Sequence, residues 1–168
     1  NHSRYLIGGQ KAKPELFTKP IPFNVIPHID VFQDNGYTKE EMKMINETQK
    51  ILEADIAITA TAVRVPVFVS HAEAVNIETE TPLAATEVRA LLAAFDGVTV
   101  EDDIANYDYP TPRSVSGKDD VYVGRIRKDV SNDNAIDCWL VADNLRKGAA
   151  LNAVQIAEEV VNLTLSVG

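Results

Sequence analysis

Val121-Tyr122-Val123-Gly124-Arg125-Ile126-Arg127-Lys128 and Ile136-Asp137-Cys138-Trp139-Leu140-Val141 are two stretches rich in β-formers, separated by the turn-like Ser131-Asn132-Asp133-Asn134. That pattern reads as two strands joined by a short connection. Upstream, Val98-Thr99-Val100 is a short strand candidate, and residues 56–65 and 67–77 are β-rich, split by Pro66. Between them Val88, Leu91, Leu92 and Phe95 fall at helical spacing, and Asp96-Gly97 ends that helix. A closing helix is expected over residues 147–161, with Leu151, Val154 and Val161 as its inner stripe. Residues 109–118, rich in Pro, Ser and Gly, read as a loop.

The first half is more broken. Residues 1–22 are polar and punctuated by Pro14, Pro20 and Pro22, and they read as a connection arriving from elsewhere. The apolar run Phe23-Asn24-Val25-Ile26-Pro27-His28-Ile29 is confined to a sheet edge by Pro27, which has no amide hydrogen to give a ladder. Thr38-Lys39-Glu40-Glu41 has the spacing of a capping box, opening a helix to about residue 53 with Met42, Ile45 and Leu52 facing inward. Strands and helices mix without strict alternation. The expected fold is therefore α+β, a single domain over residues 1–168 with helices on one face of a mixed, largely antiparallel sheet. The other face needs a partner, because so much Val and Ile is rarely left bare.

Composition narrows the function classes. A net charge of -9 opposes a nucleic-acid or membrane-surface partner, which wants a basic face. No apolar run approaches the ~20 residues that span a bilayer, and residues 1–10 lack the form of a signal peptide. A cytoplasmic protein is expected. The single cysteine, Cys138, excludes an intrachain disulfide, and Cys and His together are too few for a structural zinc site. No glycine-rich dinucleotide fingerprint occurs, since Gly8-Gly9 lacks the strand-turn-helix setting. Cys138 alternates with Ile136 and Leu140, which reads as buried packing and leaves no activated nucleophile.

Two residues stand out in Thr59-Ala60-Thr61-Ala62-Val63-Arg64-Val65-Pro66-Val67-Phe68-Val69-Ser70-His71-Ala72-Glu73. Arg64 in apolar company wants a partner: either a structural ion pair with a glutamate or a guanidinium fork held for a substrate carboxylate. His71 is either an ordinary strand-end residue or a proton carrier, since its intrinsic pKa lies near neutrality. The two differ in strand parity, so they share a pocket only if Pro66 breaks the alternation. Glu40, Lys43 and Glu47 share one helix face, which on spacing alone is a solvated face.

At these same residues the sequence resembles bacterial aspartate-semialdehyde dehydrogenase. The resemblance is carried by Phe23-Asn24-Val25-Ile26-Pro27-His28-Ile29-Asp30-Val31-Phe32, Glu40-Glu41-Met42-Lys43, Val63-Arg64-Val65-Pro66-Val67 and Ser70-His71-Ala72-Glu73-Ala74-Val75. It continues through Val123-Gly124-Arg125-Ile126-Arg127-Lys128-Asp129 and Asp143-Asn144-Leu145-Arg146-Lys147-Gly148-Ala149-Ala150, in family order. It implies a reductive dephosphorylation in which β-aspartyl phosphate and NADPH give aspartate semialdehyde, phosphate and NADP through a cysteine thioacyl intermediate. By resemblance His71 is the acid–base histidine, Arg64 grips the substrate α-carboxylate, Glu40 holds its amino group and Lys43 belongs to the phosphate site. Asn152 and Gln155 are implied near the nicotinamide, and a homodimer through the sheet is implied as well.

The family's nucleophilic cysteine and a partnering glutamine have no match here, because they belong in or next to a nucleotide-binding half that is expected upstream. NADP would be bound mainly by that half. The chain alone is therefore expected to be inactive, and its closing helix to expose apolar surface. Two other readings stay open. One is a relative that reduces N-acetylglutamyl phosphate, which Glu40 opposes because an acetylated amine carries no charge. The other is a non-catalytic paralogue or stand-alone dimerisation module, which would have no need of Glu40, Lys43, Arg64 and His71 together.

Overall fold

The strand pair around the 131–134 turn lies at the centre of a four-stranded sheet in the computed structural model, which describes residues 7, 8 and 16–166. In chain order the elements are α1 (Lys39–Leu52), β1 (His71–Glu78), α2 (Ala85–Ala93), β2 (Val98–Val100), α3 (Pro112–Val115), β3 (Val121–Lys128), β4 (Ala135–Ala142) and α4 (Leu151–Ser166). A short 3-10 turn, Ile104–Asn106, and a π turn, Arg146–Ala150, complete them. Contacts group the chain into two units, Asn1–Pro66 and Val67–Gly168. Most of the polar opening, and Gly9, lie outside the described residues.

The second unit holds the sheet, in the order β1-β4-β3-β2. The β1–β4 and β4–β3 pairs are antiparallel and β3–β2 is parallel, which is the expected mixed, largely antiparallel α+β sheet. Its core is Val123, Ile126, Ile136 and Cys138, covered by Ala85, Val88 and Leu92 of α2. A bulge in β3 makes this possible. Arg125 and Ile126 both stand opposite Cys138, and Arg125 takes φ 54. The extra residue returns Ile126 to the core side and turns Arg127 to the other side, where it pairs with Asp137 at 3.2 Å.

Trp139 lies on that second side, and its indole N–H donates to the Pro110 carbonyl at 3.0 Å. Opposite it in the register is Gly124. Ala72, Ala74 and Asn76 on the edge strand β1 are exposed. The half-buried pair Arg89–Asp102 closes the far end: one Asp102 oxygen accepts from Arg89 at 2.6 Å and from the Ile126 amide at 3.2 Å.

In the first unit the capping box forms as read. The Glu41 amide donates to Thr38 Oγ1 at 3.3 Å, and the Thr38 amide donates to Glu41 Oε2 at 2.7 Å. The helix ends at Glu53 in the left-handed region, φ 50.

Several expectations are corrected. Residues 23–29 form no strand: Ile26 makes one isolated antiparallel bridge with Arg64, Phe23 takes φ 59, and Pro27 has no amide to extend the ladder. Residues 56–65 are likewise irregular apart from that bridge, because β propensity supplies no partner strand. The second β-rich stretch begins its strand only at His71. The 109–118 loop contains α3, capped by Thr111 and Ser114 around Pro112, and Val115 is fully buried. Leu52, Val154 and Val161 face outward rather than inward. The closing helix exposes Ile156, Val160 and Leu165 besides, which is the exposed apolar surface expected of it.

Candidate functional site

In the first unit the sequence-derived residues are Glu40, Lys43 and Arg64. Glu40 and Lys43 stand one turn apart on α1, with the ammonium 3.8 Å from the carboxylate. Both side chains are substantially open to solvent, so the pair is a weak ion pair and each group is free to take another partner. Arg64 is half-buried. Its backbone is fixed by two hydrogen bonds with Ile26, at 2.8 and 3.0 Å. Its guanidinium lies over the Phe17 ring, 5.2 Å from the centroid. Among the described residues no carboxylate is within ion-pair distance of it, so the structural glutamate partner weighed for Arg64 is not found.

What joins these residues is Glu41, which the sequence marked only as a cap. Its Oε1 accepts from the Ala62 amide at 2.8 Å while its Oε2 serves the cap. The Thr38 and then the Ala62 amide hold its carboxyl below the usual range. Gln49 Nε2 donates to the Ile56 carbonyl at 2.7 Å, and the Tyr37 hydroxyl meets Thr59 Oγ1 at 2.9 Å. Residues 56–62 are thus laced along α1 without a ladder. The segment bearing Arg64 is therefore delivered to the helix bearing Glu40 and Lys43. No residue pattern marks such lacing, because the acceptors and donors are generic and 21 residues separate Glu41 from Ala62.

In the second unit His71 opens β1, exposed, with Ala142 of β4 as its ladder partner. The residue before it is unusual. Ser70 is buried and takes φ 75, a left-handed backbone that a non-glycine residue keeps only when its surroundings enforce it. Its amide donates to Asn144 Oδ1 at 2.8 Å, and its hydroxyl donates to the Pro112 carbonyl at 3.1 Å. Asn144 is held in turn. Asp143 is buried and accepts from the Gly117 amide at 2.7 Å and the Leu145 amide at 2.8 Å. Those bonds, Gly117 first, hold its carboxyl below the usual range. The Asp-Asn pair after a strand was readable as turn chemistry, but Ser70 carried no signal at all.

Asn152 is exposed on α4. Gln155 is half-buried, and its Oε1 accepts from Lys147 Nζ at 2.8 Å, which leaves its amide nitrogen as a donor. Cys138 is buried, with burial first and Asp137 second pushing its thiol up, and it donates weakly to the Val75 carbonyl at 3.8 Å. That is packing rather than nucleophile chemistry. Among the described residues no cluster of His, Cys, Asp and Glu could hold a metal ion. No described helix is long and apolar enough to cross a membrane.

Comparison with known proteins bears on all of this. A family described as "Semialdehyde dehydrogenase, dimerisation domain" matches residues 3–147. The aspartate-semialdehyde dehydrogenase of Legionella pneumophila is 54% identical over 155 residues, which are 91% of this chain and 45% of that protein. The crystal structure of aspartate semialdehyde dehydrogenase II from Vibrio cholerae, complexed with ASA, matches with a TM-score of 0.90 and 50% identity. That match covers 96% of this chain and 48% of the other. The Candida albicans enzyme with NADP shares the fold alone, at 24% identity and TM-score 0.59 over 74% of this chain and 40% of that one. The chain spans about half the length of the curated relatives it matches. It belongs to the semialdehyde dehydrogenase dimerisation-domain family, as an aspartate-semialdehyde dehydrogenase homologue.

Proposed function

We propose that this chain is the substrate-binding, proton-transferring and dimer-forming part of an enzyme that converts β-aspartyl phosphate to aspartate semialdehyde and phosphate with NADPH. The observation that carries the reading is the Glu40–Lys43 pair on α1 laced to the segment that presents an Arg64 guanidinium unpaired by any described carboxylate. The substrate carries an α-carboxylate, an ammonium and a phosphate. A planar fork suits the first, a carboxylate the second and a compact cation the third. Glu40 favours this substrate over an N-acetylated one, whose nitrogen bears no charge to meet it.

His71 takes the proton of an attacking thiol and returns one to the departing group, as a positioned imidazole can. The thiol is not Cys138, which is buried in the sheet. Bound NADPH supplies the hydride. This chain's contribution to holding it is the amide of Asn152 and the free amide nitrogen of Gln155, which suit a carboxamide. The Vibrio cholerae relative complexed with ASA favours this substrate.

The homodimer forms through the sheet, on the side where Ala72, Ala74 and Asn76 are exposed. Sedimentation of the chain reports this directly, and Ala74→Arg is expected to give monomers. The reaction is tested on the complete reading frame, with whatever precedes Asn1. Phosphate-dependent NADPH formation from aspartate semialdehyde is expected, lost by about 10²–10⁴-fold in His71→Ala, the usual weight of a general acid–base group. A folded, cofactor-binding protein with no such activity would overturn the reading and favour a non-catalytic paralogue.

A further inference from the structure

We infer that Asn144 is a positioning residue for His71, acting through the left-handed Ser70 backbone; the catalytic part of this inference rests on the proton-transfer reading above. His71 is exposed and begins an edge strand, so its own surroundings do little to fix the direction in which its side chain leaves the backbone. The residue before it does. Ser70 at φ 75 turns the irregular 67–70 segment sharply into the ladder, and the first Cβ of the ladder is that of His71. Without an external hold, a serine there relaxes to negative φ, which swings the start of β1 and re-aims the imidazole.

Asn144 supplies the hold by accepting the Ser70 amide at 2.8 Å, and the Pro112 carbonyl supplies a second by accepting the Ser70 hydroxyl at 3.1 Å. Both anchors are themselves fixed through one buried group. Asp143 ties its own turn to Gly117, just beyond α3, at 2.7 Å, and to Leu145 at 2.8 Å. The end of β4, the end of α3 and the start of β1 therefore form one hydrogen-bonded knot. The chain leaves this knot into β1 at His71, which is exposed.

The test uses Asn144→Ala, which removes the acceptor, and Asn144→Asp, which keeps one. The complete reading frame is assayed for kcat and KM with aspartate semialdehyde, phosphate and NADP, alone and combined with His71→Ala. In parallel the His71 ring resonances are followed by NMR in the 168-residue chain, assigned by their loss in His71→Ala. Asn144→Ala is expected to lower kcat roughly tenfold or more, the scale set by misplacing a reacting group by about an ångström. KM for substrate and NADP should change little, and the His71 signals should shift and broaden. Asn144→Asp should restore both. In the His71→Ala background Asn144→Ala should cost nothing further, because a group cannot be mispositioned once it is gone.

Additive losses in the double variant, or unmoved His71 signals in a folded Asn144→Ala protein, would overturn the inference. If His71→Ala itself left activity intact while Asn144→Ala still disordered the ring, the proton-transfer reading would fall and the positioning would stand. Should Asn144→Ala fail to fold, Ser70→Ala removes only the Pro112 bond, and the same non-additivity with His71→Ala is required of it.

Discussion

The Ala62 amide donates to Glu41 Oε1 at 2.8 Å, and through this bond the helix that presents Glu40 and Lys43 takes hold of the chain two residues before Arg64. Glu41 is buried, and it ties the chain that carries Arg64 to the helix that carries Glu40 and Lys43. Replacing it with alanine should leave the chemistry of Arg64, Glu40 and Lys43 intact while loosening their mutual placement. In the complete enzyme Glu41→Ala is expected to raise KM for aspartate semialdehyde by roughly tenfold to a hundredfold, the scale of an ångström of misplacement. Steady-state kinetics with substrate and phosphate varied separately measure this, and an unchanged KM in a folded variant would contradict it.

Gly124 owes its identity to lack of room rather than to its backbone. A Cβ built there would sit 2.2 Å from the Glu101 carbonyl oxygen and 2.7 Å from Pro110 Cδ. The Glu101 amide bonds the Val123 carbonyl at 2.9 Å, so the chain cannot retreat without opening the β2–β3 edge. Gly124→Ala should therefore destabilise the domain by about 3 kcal/mol, the upper range of overpacking. Gly117, with φ +82 and nothing within 4 Å of its own Cβ position, is the control. Gly117→Ala should cost only about 1–2 kcal/mol, the backbone penalty alone. Urea unfolding of the two variants ranks them.

The contrast between these glycines also marks what the sequence made legible. The strands β3 and β4, helix α2 and the Thr38–Glu41 cap were readable because each is specified locally, by alternation, by helical spacing or by a side chain three residues from its acceptor. The bulge at Arg125 and the irregular path of residues 56–65 were not, because each depends on a partner far away in sequence. The outward-facing Val154 and Val161 were misread for a related reason. Periodicity finds an apolar stripe but does not say whether the chain itself covers it. For the site, residue types and family resemblance singled out Arg64, Glu40, Lys43 and His71, whereas the groups that hold them, Glu41, Ser70, Asp143 and Asn144, emerge only from hydrogen bonds.

Those holding groups predict how the domain responds to acid. The carboxyls of Glu41 and Asp143 are both held below their ordinary values by backbone amides, so the folded chain binds fewer protons than the unfolded one in the acid range. The stability they contribute is complete above the unfolded values, about 4, and is lost as pH falls through the lower folded ones. Thermal midpoints followed by circular dichroism should be flat from about pH 7 to 5 and decline below. Glu41→Gln should be less stable at neutral pH but show a shallower acid decline. An identical acid slope in the variant would remove Glu41 from the account.

Cys138 offers the sharpest separation of packing from chemistry. Its Sγ lies in the core between β1 and the α2 face, and burial pushes its thiol up, so at neutral pH it is neither exposed nor ionised. A thiol reagent such as dithionitrobenzoate should fail to label the folded chain within minutes, and should label one equivalent after denaturation. Cys138→Ala removes a small apolar group and should cost about 1 kcal/mol. In the complete enzyme it should leave kcat and KM unchanged, because the thiol that attacks substrate must be one that can ionise and reach it. Rapid labelling of Cys138 in the native state, or loss of turnover in the alanine variant at full folding, would place the nucleophile inside this chain and return Cys138 to the active site.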